Sequence, residues 1–270
     1  MMEPLRGHVG TVTSVTISEN NRWIVSGSED KTVRIWNLSS GKQVRKALDG
    51  HKGLVNSVTV SDNCRLIASA SDDKSIRIWT VSGENAVKTV LRGHSGSLES
   101  VALSSDCTQL VSGSWDGTVC VWNISDTNDE ASTVEKKDVQ RAFALCVSID
   151  RKVVVIGYDD GYIRIWDIEA ERMKKTGFPG RKSGVRSIAM SSDKQYVISG
   201  SWDGTFRMWN TTTGKEVGDG LHGHEGPVYA VAISHNCRWF VSGSGDTTVR
   251  LWQLPSGKAI EKPLWAIQKV

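Results

Sequence analysis

A repeat of about 43 residues runs through the sequence and limits its possible folds more than any other feature. A tryptophan preceded by Ile, Val, Met or Leu recurs at intervals of 43, 43, 44, 43 and 43 residues. An Asp lies six residues before each of these tryptophans, and four units also carry a Gly-His pair whose His lies 28 residues before the Trp. The tryptophans are Trp36, Trp79, Trp122, Trp166, Trp209 and Trp252. Because the period is constant, the chain is expected to be an array of six similar structural units.

Each unit has the pattern of short strands separated by turns. Residues 12–18 (VTSVTIS) alternate apolar and polar side chains, as a half-buried strand does, and residues 22–28 and 33–38 predict two more strands. Residues 41–48 (GKQVRKAL) predict a weaker outer strand, because strands at a sheet edge tend to be polar. Four strands in each unit are typical of one blade of a β-propeller.

The Gly-His, Asp and Trp pattern resembles the WD-repeat (Trp-Asp repeat) family over residues 5–264, although Trp166 is the only one of the six repeat tryptophans that is followed by Asp. This resemblance implies an all-β fold, a β-propeller of four-stranded antiparallel blades. Six units predict six blades, since seven units would need about 300 residues. The alternative is part of a seven-bladed or larger array. We predict a single domain over residues 1–270. Its repeats span approximately residues 7–49, 50–92, 93–136, 137–179, 180–222 and 223–265.

Two further phrases extend the resemblance. The segment EPLRGH at residues 3–8 and the recurring Gly-Lys-x-Val/Ile strands are similar to the WD-repeat tails of fungal NACHT-type receptors. In those receptors the propeller is the C-terminal sensor region. The similarity implies that this chain is the sensor module of a longer receptor.

The family resemblance also assigns a hydrogen-bonded structural tetrad to four of the units. Each tetrad consists of the Gly-His histidine, a strand Ser, the turn Asp and the Trp. The four sets are His8, Ser26, Asp30 and Trp36; His51, Ser69, Asp73 and Trp79; His94, Ser112, Asp116 and Trp122; and His224, Ser242, Asp246 and Trp252. Unit four has Asp138 and Ile156 in place of the His and Ser, and unit five has Arg181 in place of the His.

A Ser, a His and an Asp can also form the nucleophilic triad of a hydrolase. A catalytic triad is built once, beside a substrate pocket, whereas this set occurs four times at one fixed spacing. We therefore interpret the sets as structural and expect no enzymatic activity, with an enzyme kept as the least favoured alternative.

In WD-repeat proteins, partners usually bind the face that carries the Gly-His loops and the Asp turns. Carried over to this sequence, that face includes large aromatic and cationic side chains, which often dominate binding energy. The candidate partner-binding residues are Trp115, Arg141, Phe143, Arg186, Trp202 and Tyr229. The alternative is that each exposed Trp packs over its neighbouring loop. The predicted function is a scaffold or sensor, for example in signalling, for a protein or peptide partner.

Composition narrows the remaining function classes. The chain has 33 basic and 30 acidic residues, a net charge of +3 that does not favour a nucleic-acid or membrane partner. Five Cys without paired spacing are typical of reduced thiols, so we expect a cytoplasmic or nuclear monomer with no metal and no cofactor. A local basic cluster leaves nucleic-acid binding as an alternative. The cluster comprises Lys174, Lys175, Arg181, Lys182 and Arg186.

Overall fold

We describe the fold from a computed structural model. The residues that it describes are 4–81, 87–104, 106–124, 131–135, 140–148, 150, 152–168, 172–178, 183–218, 223–259 and 265–266. Their regular secondary structure consists of β-strands, arranged in six antiparallel sheets of three or four strands. The chain divides into two compact units, Met1–Val139 (unit 1) and Gln140–Val270 (unit 2).

Unit 1 contains the first three sheets, which we number as blades one to three. Blade one has the strand order β1-β2-β3, blade two β4-β5-β6-β7, and blade three β8-β9-β10-β11. The strands are β1 (Val12–Ile17), β2 (Trp23–Ser28), β3 (Val33–Asn37), β4 (Val55–Val60), β5 (Leu66–Ser71), β6 (Ser75–Thr80), β7 (Val87–Arg92), β8 (Leu98–Leu103), β9 (Gln109–Ser114), β10 (Val119–Asn123) and β11 (Ala131–Glu135).

Unit 2 contains the other three sheets, blades four to six. Blade four has the order β12-β13-β14-β15, blade five β16-β17-β18, and blade six β19-β20-β21-β22. The strands are β12 (Ala142–Val147), β13 (Val153–Tyr158), β14 (Ile163–Asp167), β15 (Arg172–Phe178), β16 (Val185–Met190), β17 (Tyr196–Ser201), β18 (Phe206–Asn210), β19 (Val228–Ile233), β20 (Trp239–Ser244), β21 (Thr248–Gln253) and β22 (Trp265–Ala266).

The core lies between consecutive sheets within each unit. The second strand of most blades is buried along nearly its whole length, as β5 shows with Ile67, Ala68 and Ala70 all inaccessible. Both faces of this strand are covered, so it lacks the alternation of a half-exposed strand. This burial of successive apolar side chains is the main stabilising contribution within each unit. The predicted all-β chain of six WD-type blades is confirmed.

The outer strands differ most from prediction. Residues 41–48 were expected to form a strand but make only two isolated bridges, Val33 with Leu48 and Trp36 with Gln43. Val44 is 41% exposed and, of the apolar side chains in this segment, Leu48 alone is buried, so little apolar burial holds a continuous ladder here. At the equivalent position of blade six, Ala259 makes one bridge to Trp252, and residues 260–264 lie outside the described part of the chain. The prediction of a single domain over residues 1–270 stays a prediction.

Among the residues that the structure describes, no helix is long and apolar enough to cross a membrane.

Candidate functional site

The four predicted tetrads are hydrogen-bonded in the same way in blades one, two, three and six. The His Nδ1 atom lies 2.8–3.1 Å from an Asp carboxylate oxygen, and the His Nε2 atom lies 2.7–2.8 Å from the Ser Oγ. The Trp Nε1 donates to the same Ser Oγ at 2.8–2.9 Å. Since the Trp can only donate, the Ser hydroxyl proton is left for His Nε2, and His Nδ1–H donates to the Asp. Each tetrad therefore joins two strands, a loop and a turn.

The Asp of each tetrad is held ionised by its donors. Burial raises the pKa of the Asp30 carboxyl, but hydrogen bonds from Thr32 and His8 outweigh burial and lower it to about 2. The same opposition of burial and hydrogen bonding lowers the pKa of Asp116 to about 2 and also lowers the pKa of Asp73 and Asp246. Burial lowers the pKa of His94 against the opposing charge of Asp116. A neutral His94 beside an ionised Asp116 fits a structural link.

The tetrad serines are unsuited to nucleophilic attack. Ser69, Ser112 and Ser242 have no exposed surface, and each Oγ already contacts both a Trp and a His. A nucleophile must reach the reacting carbon of a substrate, which these hydroxyls cannot do in this arrangement. Likewise, no group of three or more His, Cys, Asp or Glu within the described ranges is placed to hold a metal ion.

Blade four replaces the tetrad with other contacts. Ile156 is fully buried at the Ser position. The turn residue Asp160 is paired with Arg164 at 3.5 Å, and the Arg164 guanidinium lies 4.3 Å from the ring centre of Tyr158. Asp138, at the His position, lies outside the described residues.

Blade five keeps only part of the tetrad. Trp209 Nε1 lies 3.4 Å from Ser199 Oγ, a long contact compared with the other blades. The Trp209 ring stacks on Phe178, which is buried, with the ring centres 4.9 Å apart. Arg181, at the His position, lies outside the described residues. Aromatic packing thus takes over part of the role that hydrogen bonds have in the complete tetrads.

A β-bulge marks the first strand of every blade, and sequence analysis did not identify it. The register shifts across the strand's second residue in each of β1, β4, β8, β12, β16 and β19. A bulge turns a side chain away from the regular alternation, and bulges often occur beside binding sites. The residues at the six bulges are Thr13, Asn56, Glu99, Phe143, Arg186 and Tyr229. Three of these were predicted partner contacts, and the bulge now gives a structural reason for their orientation.

In unit 1 the bulge residues bind neighbouring protein groups. Thr13 Oγ1 donates to the carbonyl of Val55 in the next blade, and Asn56 Nδ2 donates to the carbonyl of Leu98 at 2.9 Å. Glu99 accepts a hydrogen bond from Trp115 Nε1 at 2.6 Å. The Trp115 side chain remains 44% exposed, but its polar atom is already used within its own blade.

In unit 2 two of the bulge residues, Arg186 and Tyr229, lie beside the exposed ring of Trp202. Trp202 and Tyr229 are 44% and 48% exposed, and their rings meet edge to face with centres 5.6 Å apart. The Arg186 guanidinium lies 5.7 Å from the centre of the Trp202 ring. Arg186 and Trp202 belong to blade five and Tyr229 to blade six. We call these three residues the aromatic patch.

The other two predicted contacts in unit 2 lie in blade four. Arg141 is exposed, and its backbone amide donates to the carboxylate of Asp159 at 3.1 Å. Phe143 is half-buried, and a side chain at Gly184 of blade five would come within 3.5 Å of its ring. Trp115 belongs to unit 1, so the six predicted contacts are divided between the two units.

Comparison with known proteins identifies the repeat. The family model "WD domain, G-beta repeat" (WD40) matches residues 2–37, 41–80, 85–123, 137–167, 172–210 and 214–253. A ribosome biogenesis protein BOP1 homolog from Monosiga brevicollis is 50% identical over 40 residues, which are 15% of this chain and 5% of that protein. Pre-mRNA-splicing factor prp46 of Emericella nidulans is 44% identical over 41 residues, 15% of this chain and 9% of that protein. Human pleiotropic regulator 1 is 45% identical over 38 residues, 14% of this chain and 7% of that protein.

Each of these three matches is about as long as one repeat. The chain therefore covers less than a tenth of the length of these relatives.

Proposed function

The chain belongs to the WD40-repeat family, and from this membership we propose that it is a non-catalytic interaction module that binds a protein or peptide partner. The relatives support this class of function, since two of them are named as a ribosome biogenesis protein homolog and a pre-mRNA-splicing factor. Their names do not transfer a partner to this chain, because each match covers only about one repeat.

The observation that carries the proposal is the aromatic patch of unit 2. Large aromatic side chains gain free energy when they leave water, and leaving two of them together at the surface is unfavourable without a partner. A guanidinium beside an aromatic ring adds a site for a carboxylate of the partner. Trp, Tyr and Arg are the residue types that most often dominate a protein interface.

The partner is best described by its chemistry as a segment with an apolar side chain next to an acidic group. The apolar group would pack on Trp202 and Tyr229, and the acidic group would pair with Arg186. The predicted role in signalling, the cytoplasmic location and the similarity to NACHT-type receptor tails remain predictions. In the basic cluster that led to the nucleic-acid alternative, Arg181 and Lys182 lie outside the described residues, and Arg186 lies over an aromatic ring.

The test is quantitative capture of partners from a lysate of the source organism with three forms of the chain. Wild type is compared with the double variant Trp202→Ala/Tyr229→Ala and with Tyr162→Ala. Tyr162 is a suitable control because it is an aromatic side chain of unit 2 with the same 44% exposure as Trp202. We expect the double variant to lose the specific partner and the control to retain it. Retention by the folded double variant would contradict the proposed site.

A further inference from the structure

Apolar side chains fill most seams between consecutive blades within each unit. Each seam is described by three residues. The first begins the second strand of one blade, and the other two belong to the next blade, where one ends the first strand and the other follows the third strand. In the seam of blades one and two, Trp23 packs in the same core cluster as Val60 and Val81. In that of blades two and three, Leu66 and Leu103 pack against a cluster that includes Ile124. In that of blades five and six, Tyr196 and Ile233 pack against the cluster of Leu254.

The seam of blades four and five departs from this pattern at two positions. The repeat places Val153 where the other three seams have Trp, Leu or Tyr, and Thr211 where they have Val, Ile or Leu. Val153 and Met190 still pack against the blade-five cluster. The Thr211 hydroxyl donates to the carbonyl of Lys194. In this seam the smaller side chain of Val153 and the polar side chain of Thr211 therefore occupy positions that are filled by larger apolar side chains in the other seams.

A cleft of about 610 Å³ opens at this seam. Val153, Ile165, Met190 and Thr211 are among the residues that line it. This volume is in the range of clefts that bind small molecules or single side chains with their flanking backbone, roughly 300–1,000 Å³. The cleft lies wholly within unit 2, and none of its lining residues belongs to the aromatic patch.

The mouth of the cleft is charged but balanced. Asp150 of blade four and Lys194 of blade five form an ion pair of 2.6 Å across the seam. Lys152 and Asp167 also line the cleft. Hydrogen bonds from Lys194 and Ser148 lower the pKa of Asp150 to about 2, so its carboxylate is ionised at neutral pH. Two aspartates and two lysines give no net charge and favour a neutral side chain that carries a hydrogen-bond donor.

We propose that this cleft is a second binding site, which accepts the Trp or Tyr side chain of an extended segment of a protein partner. The chain's own Trp23 and Tyr196 show that the equivalent position in other seams suits an aromatic ring against two apolar side chains. An indole N–H or phenol O–H needs a partner when the ring is buried, and the carboxylates of Asp150 and Asp167 can accept it.

The probe for this site is N-acetyltryptophanamide, titrated into the full chain while backbone amide resonances are followed by NMR. We expect saturable shifts confined to amides that line the cleft, with a dissociation constant on the order of 1 mM for so small a ligand. N-acetylalaninamide, which has the same backbone without the ring, should give no such shifts. The Trp202→Ala/Tyr229→Ala variant should bind the probe as wild type does, which separates this site from the aromatic patch.

Val153→Trp supplies the ring within the chain and should abolish probe binding while the thermal midpoint stays the same or rises. Thr211→Leu, which introduces the residue found at the equivalent position of blade six, narrows the cleft more mildly and should weaken binding at least fivefold. It provides the test if Val153→Trp does not fold. The proposal is overturned if the wild type gives no saturable shifts, if the shifts map to the aromatic patch, or if the folded variants bind the probe unchanged.

Discussion

The complete tetrads should stabilise their blades far more than the incomplete one, and two serines of unit 2 allow a matched test. Ser242 and Ser199 occupy the same repeat position in neighbouring blades and are 0% and 2% exposed. Ser242 Oγ lies 2.7 Å from His224 Nε2 and accepts from Trp252 Nε1 at 2.8 Å. Among the residues that the structure describes, Ser199 Oγ makes one contact of this kind, at 3.4 Å from Trp209 Nε1. Replacing each Ser with Ala removes the same atom from a buried site.

The two losses can be estimated from the groups left without a partner. Ser242→Ala leaves a buried indole N–H and a buried imidazole nitrogen, each of which costs about 1–3 kcal/mol, so we expect about 2–6 kcal/mol in total. Ser199→Ala gives up one long contact and should cost about 1 kcal/mol or less. Equilibrium unfolding in urea, followed by circular dichroism, measures both losses, with equal slopes required for the comparison. Losses equal to within about 0.5 kcal/mol would refute the role assigned to the tetrads.

Three other properties follow from the structure. The tetrad aspartates have lowered pKa values in the folded state, so the stability they contribute is present above the unfolded pKa of about 3.9 and is lost as pH falls towards 2. The lowered pKa of His94 also makes the folded state less stable as pH falls. A thermal midpoint that did not fall on acidification from about pH 6 to 2 would contradict this. Cys146 is half-buried like Cys64 and Cys237, but desolvation of its thiol raises the pKa of Cys146 to about 12. Cys146 should therefore react with a thiol reagent at about pH 8 more slowly than Cys64 and Cys237, as mass spectrometry of the labelled chain would show. Amides of blades four and five, which lack complete tetrads, should exchange hydrogen faster than those of blades one to three, and equal protection would argue against that difference.

The sequence was sufficient to predict the blades because the same pattern of strands and turns occurs six times. Each copy reinforces the others, and strand β1 begins at Val12, the residue where the alternation begins. The outer strands were harder to predict because residues 41–48 have polar side chains and no regular alternation. Whether such a segment forms a continuous ladder depends on its neighbours and not on its own pattern.

The candidate sites were only partly accessible from the sequence. Family spacing selected Arg186, Trp202 and Tyr229, but their contact depends on bulges, and a one-residue register shift has no marker in the strand sequence. The cleft at Val153 had a visible signal, since aligning the repeats shows a small residue where other blades have larger ones. A small residue at this position predicts a cleft only when the structure shows which side chain of the next blade lies opposite Val153.

The central claim, that a partner binds the aromatic patch of unit 2, is tested most directly by site-specific crosslinking. Tyr229 is replaced by photoreactive benzoylphenylalanine in one form of the chain, and Trp239, at the start of β20, is replaced in another. Both forms are irradiated with the partner recovered by capture. We predict a crosslink to the partner from position 229 and none from position 239. A crosslink from position 239 alone would place the partner elsewhere on unit 2 and contradict the account.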